Sequence, residues 1–570
     1  MMASTLLFAR FGASAPADEL GFDVVVAGSG AAGMTAALTA AKRGLKVLVI
    51  DAASCFGGST ARSGGGIWIR NNPINQSAGV QDSLAEAAEY LAAVAGANSP
   101  QDKQRAFIEN GPKMVQFLLE HSPLEFRRMA GYSDYYPELP GGKPDGASIE
   151  PEIFDGNQLG KELSRLEPPY IPSPPGVVIY AADYKWLCLV RVSLHGARVA
   201  AQAVQRYVQA ALRRQRPLTM GQALAAGLRK GLIDADVPVW LSTQLLDLSV
   251  DAQGRVDGVR VRRGGVDMLI KAKHGVIIAT GGFEHNLALR REFQQQPIGT
   301  DWTLGAKENT GGGILAGRRL GADLALMDDA WWGPSVPLAP GQPYFCLSER
   351  SLPGSILVNA RGERFVNESA PYHDVVNAMY RQGLAADGSG VWLITDQNYR
   401  NRYLFRDVLP GLPLPQAWFE QKAVYKASTL EDLAAQIEVP AAALSDTVQT
   451  FNGYALAGQD ADYKRGNSAY DRYYADPGIK PNPSLGALSK APFYAFRIVP
   501  GDLGTKGGLK TNARSLVLRP NGREILGLYA AGNASDAVMG RSYAGNGSTL
   551  GPAMTFGFIA ANDIADQLPH

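Results

Sequence analysis

The segment Gly28-Ser-Gly30-Ala-Ala-Gly33 constrains the fold most, because of what stands on either side of it. Phe22-Asp-Val-Val-Val-Ala27 reads as a buried strand. A helix is expected from near Ala31 to Gly44, then a second strand, Lys46-Val-Leu-Val-Ile50, ending at Asp51. That is a βαβ unit with its glycines at the first strand-to-helix turn. Gly28 allows the tight turn, Gly30 lets a pyrophosphate approach the backbone, and Gly33 lets helix and strand pack closely. The helix N-terminus, with Ser29 and Ala32 beside it, turns free N–H groups and a positive dipole end toward the phosphates. Asp51 stands where an acid accepts ribose hydroxyl hydrogen bonds. The pattern predicts a bound dinucleotide.

A second glycine-rich loop follows at once: Phe56-Gly-Gly58-Ser59-Thr60-Ala-Arg-Ser63-Gly64-Gly65-Gly66. A nicotinamide enzyme has no need of it. A flavin does, because its ring system extends beyond the pyrophosphate and requires close backbone contact. FAD is therefore expected. Further walls are expected from Ala279-Thr-Gly281, at the end of the apolar run from Gly275, and from Gly532-Asn533, at the end of the run from Ile525. The fold class is α/β. It is a discontinuous Rossmann-like FAD-binding domain with an inserted α+β catalytic domain. The expected division is 1–312 and 501–570 for the cofactor domain and 313–500 for the insertion.

The bulk numbers agree with a multidomain enzyme. The 570 residues exceed one compact core. The formal net charge of +1 points to neither nucleic acid nor a polyanionic substrate. Cys55, Cys188 and Cys346 form no close-spaced pair, so neither a disulfide framework nor a metal site is signalled. A reducing, cytoplasmic setting suits three such cysteines. No apolar run reaches the roughly 20 residues of a spanning helix. The start, Met1 to Arg10, has an apolar patch without a preceding basic region, which argues against a secretory signal.

Near the C-terminus, Arg541-Ser-Tyr543-Ala-Gly-Asn-Gly547-Ser-Thr-Leu550 sets a tyrosine hydroxyl four residues from a glycine N–H. Two donors so placed can converge on one carbonyl oxygen and stabilise the charge of an enolate. Leu550 joins the expected cofactor residues. The chain resembles the fumarate reductase/succinate dehydrogenase flavoprotein superfamily in its glycine segments. Within that superfamily it looks like a 3-ketosteroid Δ1-dehydrogenase. The carrying segments are Tyr132-Ser-Asp-Tyr135-Tyr136-Pro, Ala330-Trp-Trp332, Phe365 to Tyr372, Asp502 to Leu509 and the Tyr543–Gly547 turn.

The resemblance implies roles. Tyr543 hydroxyl and Gly547 N–H bind the steroid C3 carbonyl, Tyr372 removes a proton from C2, Tyr135 supports Tyr372, and hydride from C1 goes to the flavin. It also implies non-covalent FAD, since covalent members carry a histidine in the loop after the βαβ unit and this loop has none. An external electron acceptor is implied as a partner. Ala544 and Asn546 depart from the proline and glycine that relatives often have there. The rival readings are a 3-ketosteroid Δ4-(5α)-dehydrogenase and a sterol-binding flavoprotein without turnover. A fumarate-type reductase is disfavoured, because a dicarboxylate needs clustered arginine and histidine.

One segment, about 176–217, is an addition to the compact relatives. Val190, Leu194, Ala197, Ala201, Val204, Val208 and Ala211 repeat at helical spacing as one apolar stripe. Arg191, Arg198, Arg206 and Arg213 share a neighbouring face. Such a basic amphipathic helix can lie in a membrane interface, giving peripheral contact through about 185–216. It can equally pack its stripe on the protein. Trp331 and Trp332 read as packing residues, and His373 as structural.

Overall fold

The computed structural model describes residues 21–568, so the patch from Met1 to Arg10 lies outside the described residues. The expected βαβ unit is present as β1 (Gly21–Ala27), α1 (Ala31–Lys42) and β2 (Val47–Ile50). β1 and β2 run parallel, Val24 opposite Val47 and Ala27 opposite Ile50. α1 is buried along nearly its whole length, which explains its run of alanines. The added segment forms α2 (Leu194–Leu212), capped by the Ser193 hydroxyl accepting from Gly196 N at 3.2 Å.

Beyond α2 the chain extends the sheet. β3 (Val239–Trp240) pairs with β2. β4 (Thr243–Val250), β5 (Val256–Arg263) and β6 (Val266–Ile278) form an antiparallel meander. β6 is long enough for two tasks. Its first half pairs with β5, and its second half lies parallel to β1. The strand expected to start at Gly275 is therefore the end of a longer one.

After α3 (Leu287–Phe293) the chain builds two small antiparallel sheets. One joins β7 (Ala330–Ala339), β8 (Gln342–Phe345) and, later, the strand from Val499 to Thr505. The other orders β9 (Ser355–Asn359), β10 (Val391–Asp396), β12 (Phe493–Arg497) and β11 (Val424–Ala427). Helix α4 (Tyr372–Gln382) packs on β7. β13 (Val499–Thr505) leads back to β14 (Leu516–Leu518) and β15 (Glu524–Ala530). β15 adds to β6 in parallel, completing the order β14-β15-β6-β1-β2-β3. Helix α5 (Leu550–Asp566) then packs on α1, where a Cβ at Gly557 would come within 2.4 Å of Ala32 O.

A fully buried ion pair ties α3 to β13 of the three-stranded sheet. Arg290 on α3 meets Asp502 on β13 at 2.6 Å, and Thr303 donates to the other Asp502 oxygen, also at 2.6 Å. Arg290→Met should cost about 3–5 kcal/mol, because it leaves Asp502 charged and buried without its partner. A urea unfolding midpoint unchanged from the parent would contradict this.

Candidate active site

The glycines of the first turn are needed for close approach. A Cβ on Gly28, whose φ is +115°, would lie 2.1 Å from Ala279 O, and one on Gly33 would lie 1.9 Å from Gly28 O. Gly30 differs. It is extended (φ −76°), and its Cβ would meet no protein atom closer than Thr60 Oγ1 at 3.5 Å. The space beside Gly30 belongs to a cavity of about 1390 Å³.

That cavity gathers the expected cofactor residues from distant parts of the chain. Gly28, Ser29, Gly30, Ala32 and Asp51 line it, with Gly58, Ser59, Thr60, Ser63, Gly64 and Gly65 from the second loop. Ala279, Gly281, Gly532, Asn533 and Leu550 complete the set. Gly33 does not line it, since its role is packing. Asp51 Oδ2 accepts from Ser29 N at 2.7 Å and Ser29 Oγ at 2.5 Å. Burial pushes the Asp51 carboxyl up, and the Ser29 hydrogen bonds oppose that. The cradle fits a flavin dinucleotide: backbone and small side chains face a long cavity that starts at a helix N-terminus.

Sequence reading missed Asn309. Its amide donates to Ser59 Oγ at 3.0 Å and to Glu284 Oε1 at 2.6 Å, and a Cβ on Gly281 would touch its Oδ1 at 2.4 Å. No local motif surrounds Asn309, so only the folded chain brings it to the cradle. Glu284 behind it is fully buried, and burial together with Asp502 raises its carboxyl to about 7.

The expected catalytic residues line the same cavity. Tyr372 starts α4, and Tyr543 lies in the loop before α5. Tyr135 OH donates to Tyr372 OH at 3.1 Å. The Tyr135 and Tyr543 rings stack at 5.3 Å, and Tyr372 meets Tyr543 edge-on at 5.0 Å. Phe345 and Trp331 close two sides, 5.0 Å from Tyr372 and 5.2 Å from Tyr543. Trp331 also donates to Asn533 Oδ1 at 2.9 Å, so it links the tyrosines to the cofactor wall, whereas Trp332 is core. Tyr132, beside Tyr135 in sequence, instead hydrogen-bonds Tyr474 at 2.7 Å.

Burial sets the electrostatics. It holds the Tyr372 and Tyr135 phenols well above their usual range, with Tyr135's hydrogen bond pulling Tyr372 partly back. Burial also raises Tyr543, and Tyr372 opposes it. Gly547 has φ +98°, and a Cβ there would sit 2.4 Å from Gly66 C. Its carbonyl accepts from Trp68 N at 3.2 Å and Gly551 N at 2.9 Å. Among the described residues none accepts a hydrogen bond from its N–H, which leaves that donor available at the cavity wall.

α2 leaves the expected stripe outward and packs by another face. Gly196, Val199, Ala203 and Ala210 face the protein, while Leu194 is 93% exposed and Val204 and Val208 are each 47% exposed. Val190 precedes the helix. The small residues pack because they allow close approach: a Cβ at Gly196 would lie 2.6 Å from Trp186 O. Arg206 also departs from its expected face, turning inward to Asp183 at 2.5 Å and Val178 O at 3.0 Å.

Residues 23–550 match the model of the FAD binding domain family, and together with the cradle they define an FAD-dependent flavoprotein. The chain is 51% identical to a 3-oxosteroid 1-dehydrogenase of Mycolicibacterium smegmatis over 555 residues, covering 95% of this chain and 97% of the relative. A solved 3-ketosteroid Δ1-dehydrogenase from Sterolibacterium denitrificans, in complex with 1,4-androstadiene-3,17-dione, superposes with a TM-score of 0.91 at 39% identity, covering 96% of this chain and all of that one. The chain belongs to the 3-oxosteroid 1-dehydrogenase family of FAD-dependent enzymes. A 3-ketosteroid Δ4-(5α)-dehydrogenase from Rhodococcus jostii RHA1 shares the fold, at 22% identity and a TM-score of 0.64, covering 96% of this chain and 98% of that one.

Gly30→Val should fold normally, because the backbone is extended and no protein atom is in the way, yet purify without flavin absorbance. A yellow Gly30→Val protein with parental FAD content would show that the pyrophosphate lies elsewhere.

Proposed function

We propose that this chain desaturates 3-ketosteroids between C1 and C2. One observation carries the reading. In a single cavity, Tyr372 and Tyr135 are hydrogen-bonded beside Tyr543, and Gly547 lines the same space as the flavin cradle. Tyr543 hydroxyl and Gly547 N–H donate to the C3 oxygen. The C2 proton becomes acidic as that carbonyl is polarised, and Tyr372 oxygen takes it. The cradle residues Gly28, Ser29, Gly30, Asp51, Gly58 and Gly532 would hold FAD non-covalently, and the flavin would supply the acceptor for the hydride from C1 as the C1=C2 bond forms. Tyr135 donates to Tyr372, so it stabilises the phenolate that acts as base. An external acceptor would take the two electrons on.

Preorganised donors matter most where water is excluded. Tyr543→Phe should slow flavin reduction by roughly 10²–10³-fold, since one of two donors to the developing enolate is lost. Tyr372→Phe should bind steroid and barely reduce flavin. Because burial raises the Tyr372 phenol, the reduction rate should climb with pH on the alkaline side. Tyr135→Phe should move that climb to higher pH, as the phenolate loses a donor. Stopped-flow reduction by a 4-en-3-one steroid, with the product identified as the 1,4-dien-3-one, tests all three variants. A saturated 3-ketosteroid desaturated only at C4–C5 would favour the Δ4 alternative.

A second reading concerns where the substrate comes from. The outward face of α2 exposes Leu194, Val204, Tyr207, Val208 and Leu212, and Val204 and Leu409 both line the cavity and are exposed. Arg198 and Arg213 flank that face and are exposed. An apolar face rimmed by arginine suits the headgroup boundary of an anionic bilayer. Among the described residues no helix is long and apolar enough to cross a membrane, so the proposed contact is peripheral. Leu194→Glu with Val208→Glu should abolish flotation with phosphatidylglycerol vesicles and leave turnover of detergent-dispersed steroid intact. Undiminished flotation of that variant would rule the helix out.

A further inference from the structure

Three consecutive residues open α4: Tyr372, His373 and Asp374. The first is the proposed base. The other two point to the loop that carries Tyr543. His373 Nε2 lies 2.9 Å from the carbonyl of Arg541, with which it can bond only as a donor. Asp374 accepts from Tyr136 OH at 3.0 and 3.1 Å, and Ser542 Oγ reaches Tyr136 OH at 3.2 Å. From the other side, Lys506 Nζ donates to Ser542 O at 3.1 Å. Past Tyr543, Ala544 O accepts from Tyr90 OH at 2.7 Å and Tyr135 N at 3.0 Å. The peptide on both sides of Tyr543 is thus held by side chains, and the hold comes partly from the helix of the base itself.

His373 and Lys506 are an expensive way to build a loop. Both are fully buried, at 1% and 0% exposure. Burial pushes His373 down to about 3, so it stays neutral and keeps one N–H for Arg541 O. Lys506 has Asp329 at 3.2 Å as counter-ion and sits 4.7 Å over the Trp331 ring, which in turn packs on Tyr543. Asp329 has its other oxygen occupied by Trp332 Nε1 at 2.8 Å and Ala330 N at 2.9 Å. A purely structural loop anchor needs no ammonium group in a dry interior.

We infer that His373 and Lys506 are positioning residues that fix the Tyr543 hydroxyl relative to the Tyr372 oxygen. The base and the carbonyl donor must act on adjacent carbons of one ring, so their separation cannot drift. Holding the peptides at Arg541 and Ser542 sets where Tyr543 begins. Holding Ala544 sets where it ends. The inference rests on the reading of Tyr372 and Tyr543 given above.

The test is anaerobic single-turnover reduction of the holoenzyme by 4-androstene-3,17-dione. Exchange of the C2 hydrogen with deuterated solvent is followed in parallel. His373→Phe keeps a ring and removes the donor. Its limiting reduction rate should fall by roughly 10²-fold, the size expected of a misplacement near 1 Å. Steroid Kd, FAD content and Tm should hold, and C2 exchange should slow in step with reduction. His373→Gln retains a terminal N–H of similar reach and should recover most of the rate. Lys506→Met combined with Asp329→Asn removes the second hold together with its nearest counter-ion, and should show the same split between rate and Kd. A parental limiting rate in either His373→Phe or the double variant overturns the proposal. So does a loss that tracks falling Tm or FAD content, or a His373→Gln variant as slow as His373→Phe. Tyr543→Phe in the same assay separates the two ideas. If it reduces flavin normally, the reading of the site fails. If it is slow while His373→Phe is normal, only the positioning role fails.

Discussion

The contact between Gly547 and Gly66 is the constraint around which the site is built. The two backbones are so close that a Cβ on Gly547 would lie 2.4 Å from both Gly66 C and Gly66 O. Trp68 N then donates to Gly547 O at 3.2 Å, while the Gly547 N–H has no acceptor among the described residues and Gly547 lines the cavity. One close approach therefore joins the loop after the N-terminal βαβ unit to the loop before the last helix. It makes the flavin cradle and the proposed carbonyl site two sides of one wall. Gly547's φ of +98° is affordable only to glycine, so the donor and the contact depend on the same missing side chain.

Around that wall the energetics work against charge. The tyrosines are removed from water, and burial raises each phenol. A phenolate base in such a place would need donors aimed at it, and Tyr135 donates to Tyr372, the base proposed above. The same dryness strengthens the donors to a substrate carbonyl, because no water competes for the oxygen. The site thus makes its base harder to form and its transition state easier to hold. The balance is set by a few hydrogen bonds between aromatic side chains.

The cavity's other end has a different character. There α2 contributes Ala200, Ala203 and Val204, and the exposed face of the same helix is apolar. The helix is attached by its small residues, which leaves its larger apolar side chains outward. A helix meant only to pack would place them the other way round, since burying Leu and Val gains more than burying Gly and Ala.

The βαβ unit and the glycine segments of the flavin cradle were legible in the sequence because each depends on local chemistry, whereas the roles proposed for the tyrosines came from the family resemblance. A tight turn needs Gly28, a close helix needs Gly33, and the Tyr543-to-Gly547 spacing sits on one short loop. The direction of the α2 stripe was not legible. Periodicity reports that one face is apolar, and only the neighbours decide whether that face is covered. Asn309 stands in a segment with no motif, Lys506 lies in the Asp502–Leu509 segment without a local sign of its partners, and His373 looked structural. Each acquires its role from residues far away in sequence, at Ser59, Ser542 and Arg541. The sequence by itself determined which chemistry this chain can perform, because turns and donors are written in residue type. The tertiary structure decided how firmly that chemistry is held in place, because buried hydrogen bonds between distant segments exist only once the chain has packed.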